Sequence, residues 1–134
     1  MKQTVLTSKF CQHYYNGDKK MLKQVWTNNS ASMTTEDFKS VMLAYVDLYK
    51  QYEVQQVLVD SRKMRYLVEP EVQDWVNANV IAALIPYLKK LAFLLSSDIF
   101  EEVSIKQAME EQQEDIPFET KYFEDEQQAI DWLL

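Results

Sequence analysis

The stretch LVDSRKMRYLVEPEVQDW, Leu58 to Trp75, decides how this chain is read. It opens on the end of an apolar run, Val57-Leu-Val59, in which polar and apolar residues do not alternate. A strand covered on both faces has that pattern, and interior strands of parallel sheets are covered on both faces. Asp60 and Ser61 mark the strand end. Met64, Tyr66 and Val68 then share one side of a connection expected to continue extended. Pro70 suits the first turn of a helix, where its missing N–H costs nothing. Val72, Trp75, Val76, Asn79, Val80 and Ala83 follow at helical spacing.

The same grammar recurs on both sides. Leu91-Ala-Phe-Leu-Leu95 reads as a second interior strand. Ser96-Ser97-Asp98 follows it, with Asp98 an expected N-cap and Glu101 three residues on, opening a third helix to about Glu111. Upstream, Thr34 reads as an N-cap, with Glu36 and Asp37 in the positive first turn. Phe38, Val41, Met42, Tyr45, Leu48, Tyr49 and Tyr52 then give one buried stripe, ending near Tyr52. Phe10 to Trp26 reads as a hairpin in which Asn16-Gly17 supplies the positive φ of the turn. In its second arm Leu22, Gln24 and Trp26 share one side and Met21, Lys23 and Val25 the other, so one side faces the core. Phe118, Thr120 and Tyr122 alternate with Glu119 and Lys121 as a last strand near an edge. Glu124-Asp125 opens a short final helix in which Ala129, Ile130, Trp132 and Leu133 dock.

The expected order is therefore β-β-α-β-α-β-α-β-α: one α/β domain over residues 1–134, with a mixed, mostly parallel sheet and flanking helices. In such sheets ligands meet the carboxyl ends of the strands. That edge should gather Asp60, Ser61 and Arg62, then Ser96, Ser97 and Asp98, and Glu124 with Asp125.

The bulk numbers agree with one globular domain. The 134 residues are 47% apolar, with one glycine and three prolines, and a chain of that length buries a core without staples. The net charge is −7. It divides into +3 over residues 1–97 and −10 over residues 98–134. Nucleic acid is a poor partner for such a chain, because a phosphate footprint needs a basic face. The acidic third reads as solvated helix faces, or as a docking surface for a basic partner. One cysteine, Cys11, excludes an internal disulfide and suits a reducing cytoplasm. No signal peptide is read at the start, and the longest apolar run, around Val80 to Leu84, falls far short of a membrane span.

Residues with chemical potential are few. Cys11 and His13 share a strand face with Tyr15, and imidazole beside a thiol can generate a thiolate. No third orienting group is evident, and packing explains the same residues. One cysteine and one histidine do not complete a zinc set. Ser61 and Asp60 lie far in sequence from the only histidine, and no Gly-x-Ser-x-Gly elbow or glycine-rich phosphate loop exists. The acidic run Glu110, Glu111, Glu114 and Asp115 reads as a solvated face and not a cation site. Arg62, Lys63 and Arg65 form the one basic cluster near the strand ends. The stripe Tyr45, Tyr49 and Tyr52 could stay partly exposed and mark a partner surface.

Four motifs in order carry a resemblance: Val57-Leu-Val-Asp-Ser-Arg62, Pro70-Glu-Val-Gln-Asp-Trp75, Lys90-Leu-Ala-Phe-Leu-Leu-Ser96 and Tyr122-Phe-Glu-Asp-Glu-Gln-Gln-Ala-Ile-Asp-Trp-Leu133. Together the pattern resembles the SpoIIAA-like superfamily, the anti-sigma-factor antagonist (STAS) domains, and within it a branch of short bacterial proteins. The resemblance implies a cytoplasmic, non-enzymatic regulatory or protein-interaction module without cofactor or metal, its partner another protein or a second copy. It also implies a phosphorylatable Ser or Thr near the start of the helix after the central strand. This chain has Val68-Glu-Pro-Glu71 there, with no hydroxyl, so the phospho-switch is not carried over. The alternative is a small apolar-ligand or lipid-binding protein, because CRAL-TRIO lipid-transfer domains look like enlarged relatives of this fold.

Overall fold

A computed structural model of the chain describes residues 2–99 and 118–134. Among these residues the sheet has six strands in sequence order: β1 (Lys2–Thr7), β2 (Cys11–Asn16), β3 (Met21–Trp26), β4 (Gln56–Asp60), β5 (Lys90–Leu94) and β6 (Glu119–Phe123). The ladders β1–β2 and β2–β3 are antiparallel, and β3–β4, β4–β5 and β5–β6 are parallel. The architecture is thus α/β with a mixed sheet, as expected, and the two apolar strands at Val57 and Leu91 lie side by side in the same direction. The sheet does not begin at Phe10 as the sequence suggests: Lys2–Thr7 adds a further edge strand with an irregular register between Thr4 and Leu6.

The hairpin turn also differs. No glycine has positive φ; instead Lys20 takes φ 51° at the end of a four-residue loop. Asn16 contributes through its side chain, accepting the Asp18 N–H at 3.1 Å. A two-residue turn needs left-handed residues at its centre, but a four-residue loop needs such a residue only near its exit.

Helix α1 (Thr35–Tyr52) obeys its sequence signals. Thr34 and Asp37 form a reciprocal capping box, each side chain bonding the other's backbone N–H at 3.0 Å. The helix stops at Glu53, left-handed at φ 50°, the position where glycine usually sits. Helix α2 starts at Pro70 as expected (Pro70–Val76), widens into a π turn over Asn77–Ile81 and finishes at Ala82–Leu84. The Asn79 side-chain amide donates to the Trp75 carbonyl at 3.0 Å within that widened stretch. That spends Asn79 on the backbone, and it stays exposed although the stripe included it. The connection from Met64 to Val68 forms no strand, but Met64, Tyr66 and Val68 do pack against the core on one side.

Two cores lie on opposite faces of the sheet. On one, α1 and α2 cover Leu22, Trp26, Val57, Val59 and Leu91. On the other, Ala129 and Leu133 of the C-terminal helix (Glu126–Leu133) cover Met21, Leu58, Ala92, Leu94 and Phe123. Strand alternation assigns neighbours to the two faces, and both being filled explains why β4 and β5 carry unbroken apolar runs. In β6, Glu119, Thr120 and Lys121 are exposed, as suits an edge. The tyrosine stripe of α1 is not a partner surface. Tyr45 and Tyr49 are fully buried and Tyr52 half-buried, because β2 presents Tyr15 and His13 to them. Residues 97–99 are helical, so Asp98 stands within the first turn and does not precede it. The rest of the expected third helix, with Glu101 and the run Glu110 to Asp115, lies outside the described residues.

Candidate functional site

Register brings the expected strand-end edge to one level. Asp60 pairs with Leu94 and Leu94 with Phe123, so residues 60–62, 96–98 and 124–125 leave the sheet side by side. The pleat then divides them between the two faces. Asp60, 7% exposed, turns to the face of the C-terminal helix. Arg62 grips it with Nε on Oδ1 at 3.0 Å and Nη2 on Oδ2 at 2.8 Å, and the Arg62 backbone N–H adds a third bond at 3.1 Å. Arg62 Nη2 also lies 3.4 Å from Glu126, whose other oxygen takes Lys23 Nζ at 2.7 Å. The chain Lys23–Glu126–Arg62–Asp60 therefore ties the C-terminal helix to β3 and β4. Burial raises the Asp60 pKa, but the hydrogen bonds and charge of Arg62, with Lys23, outweigh it and hold the carboxyl below its ordinary 3.8. These charges neutralise one another, so the group reads as a structural clasp. Ser96 is half-buried, and Ser97 and Asp98 are exposed.

Ser61 goes to the opposite face. Its N–H donates to the Leu94 carbonyl at 2.9 Å, and its side chain lines a partly open cleft of about 270 Å³ between the sheet and the two helices. The sheet supplies Gln24, Trp26, Val59, Leu91 and Phe93. Helix α1 supplies Phe38, Met42 and Tyr45. Helix α2 roofs it with Gln73, Val76, Val80, Ile81 and Leu84, so the π turn lies directly over it. Such turns recur at functional sites because they interrupt regular helix packing. Met64 and Val68, from the loop between β4 and α2, complete the lining. Their loop is held by the buried Ser30 hydroxyl, which accepts the Arg65 N–H at 2.7 Å and donates to the Thr27 carbonyl at 2.7 Å. An aromatic stack stiffens the wall: Trp26 on Phe38 at 5.9 Å and Phe38 on Tyr66 at 5.0 Å.

At the cleft floor Gln24 is 2% exposed. It pairs across the hairpin with His13, Nε2 to Nε2 at 3.1 Å. The carboxamide nitrogen is always a donor, so His13 accepts and its own proton sits on Nδ1. That Nδ1 has no partner among the described residues, nor does the buried Tyr49 hydroxyl. Burial lowers the His13 pKa to about 4 and raises that of Cys11 to about 12, the latter partly offset by Gln24 and backbone N–H groups. Imidazole and thiol are thus both neutral at physiological pH, and His13 is engaged by Gln24. They are packing residues beneath the cleft, unsuited to making a thiolate.

Of the cleft residues Ser61 is legible at the strand end in the sequence, whereas Gln24, Trp26, Phe38, Met42 and Gln73 are not. One signal was present: Gln24 is a polar residue between Leu22 and Trp26 on the core-facing side of β3. Among the described residues no His, Cys, Asp and Glu cluster could hold a metal, and no helix is long and apolar enough to cross a membrane. No protein-family model matches this chain, and no significant match occurs among curated proteins or solved structures.

Proposed function

We propose that this protein is a non-enzymatic binding module of SpoIIAA-like kind, and that it takes a small apolar molecule into the cleft between β3–β5 and helices α1 and α2. The observation that carries this reading is the cleft itself: about 270 Å³, walled by aromatic and aliphatic side chains, beneath a helix widened by a π turn. Ligand sites are generally concave, mostly apolar and furnished with a few polar groups. The kinship reading draws on the sequential strand order and the β-α-β units that follow three antiparallel N-terminal strands, one strand more than the expected hairpin. The size favours a small molecule over a long-chain lipid. A cavity of about 150 Å³ holds benzene, so this one suits a body of roughly ten to twelve heavy atoms. Neutral two-ring aromatics such as naphthalene should raise the melting temperature, since a ligand that binds only the native state stabilises it. Met42→Trp, which fills the cleft from α1, should abolish the rise. An unchanged melting temperature in the wild type, with only bare chain in native mass spectrometry, would overturn the proposal.

A second reading, a protein-interaction role, is favoured by Leu67, 77% exposed between the cleft residues Met64 and Val68, with Ile85 also exposed at 40%. Under it the chain dimerises or retains a protein partner, and Leu67→Asp releases it. Light scattering and pull-down test this, and a monomer that retains nothing would refute it.

A further inference from the structure

We infer that the cleft ligand carries one uncharged hydroxyl, which donates to the Gln24 carboxamide oxygen at the floor. The inference rests on the cleft being a binding site and adds the chemistry of its occupant.

Among the described residues no Asp, Glu, Lys, Arg or His lines the cleft. Burying an ionised group there without a counter-charge is costly, so carboxylates, phosphates and ammonium ions are selected against. A pure hydrocarbon is not the best fit either. The Gln24 carboxamide offers two N–H donors and an acceptor oxygen; His13 takes one donor, through Nε2 at 3.1 Å, and the Cys11 thiol draws on the other, which leaves the oxygen to accept from a ligand. The His13 bond fixes the orientation of the carboxamide, because His13 is itself held between β3 and the Tyr45 ring at 5.7 Å. The polar floor is therefore preorganised and does not need to be ordered on binding.

Gln73 and Tyr45 also bring polar groups to the lining, and Ser61 stands higher in the cleft than Gln24. Gln24 is level with Val59, and Ser61 is two residues further along β4, roughly 7 Å up the strand. No described residue hydrogen-bonds the Ser61 hydroxyl. A ligand that fills the cleft would reach Gln24 with its polar end and leave its apolar body against Phe38, Val80 and Phe93. Ser61 then meets only a second substituent, at the mouth.

The test is equilibrium dialysis of the intact protein at pH 7 against three size-matched probes: naphthalene, 2-naphthol and 2-naphthoate. The expected order is naphthol tightest, by at least about tenfold over naphthalene, with no measurable naphthoate binding. Gln24→Leu should equalise naphthol and naphthalene while keeping naphthalene binding. The wild-type series alone is decisive should that variant not fold. Equal binding of naphthol and naphthalene, or tighter binding of naphthoate, would overturn this inference and leave the cleft reading standing. Failure of all three probes would overturn both.

Discussion

Buried His13 should make this protein lose stability over a narrow and unusual range of mild acidity. The ring is 0% exposed, lies against Tyr45 and accepts from Gln24. Among the described residues no carboxylate hydrogen-bonds it to favour its charged form. Burial lowers its pKa from 6.5 to about 4. Between those values the unfolded chain binds a proton that the folded chain refuses, so stability falls as pH falls. At 1.36 kcal/mol per pH unit the full effect is about 3 kcal/mol, of which about 2 kcal/mol is lost between pH 7 and pH 5. Against a typical domain stability of about 5–15 kcal/mol this is large. Asp60 acts in a different window. Its folded pKa lies below 3.8, so its contribution is present above that value and is lost only in stronger acid. Urea unfolding followed by tryptophan fluorescence at pH 7, 6 and 5 measures the effect. His13→Asn keeps an acceptor for Gln24 but does not titrate, and should remove the slope whatever its baseline stability. A wild type as stable at pH 5 as at pH 7, or a variant with the same slope, would refute the argument.

Asp60→Asn leaves the Arg62 guanidinium facing a neutral amide, so stability should fall by roughly 1.5–3 kcal/mol, the worth of hydrogen bonds to a charged group. Urea midpoints read this, and an Arg62→Leu background should shrink the loss. Cys11, its thiol pushed up to about 12 from 9.0, holds roughly a thousandfold less thiolate than an ordinary cysteine below pH 9. Iodoacetamide should therefore label it only as fast as the chain unfolds, and rapid labelling of native protein would contradict its burial.

The parts of the fold that depend on neighbours in sequence were legible. Thr34 and Asp37 announced the start of α1, because a capping box is made within four residues. Val57 to Val59 and Leu91 to Leu95 announced interior strands, because a strand buried on two faces has no polar side to show. Pro70 fixed the start of α2 for the same local reason. Lys2–Thr7 gave no such signal. An edge strand needs only a partner, and β2 supplies one. The left-handed residue of the hairpin fell on Lys20 because loop length, set by the Asn16–Met21 pairing, outranks the preference of the lone glycine.

The candidate site divides in the same way. The sequence by itself determined that Asp60, Ser61 and Arg62 end a buried strand beside Ser96 to Asp98, since that follows from strand order and length. Only the tertiary structure decided that Asp60 and Ser61 serve opposite faces, one in a clasp with Glu126, the other at an apolar cleft. The cleft is assembled from β3, β4, β5, α1, α2 and the loop between β4 and α2. Its shape is the gap left where those side chains meet, and a gap between distant segments has no local signature in the chain.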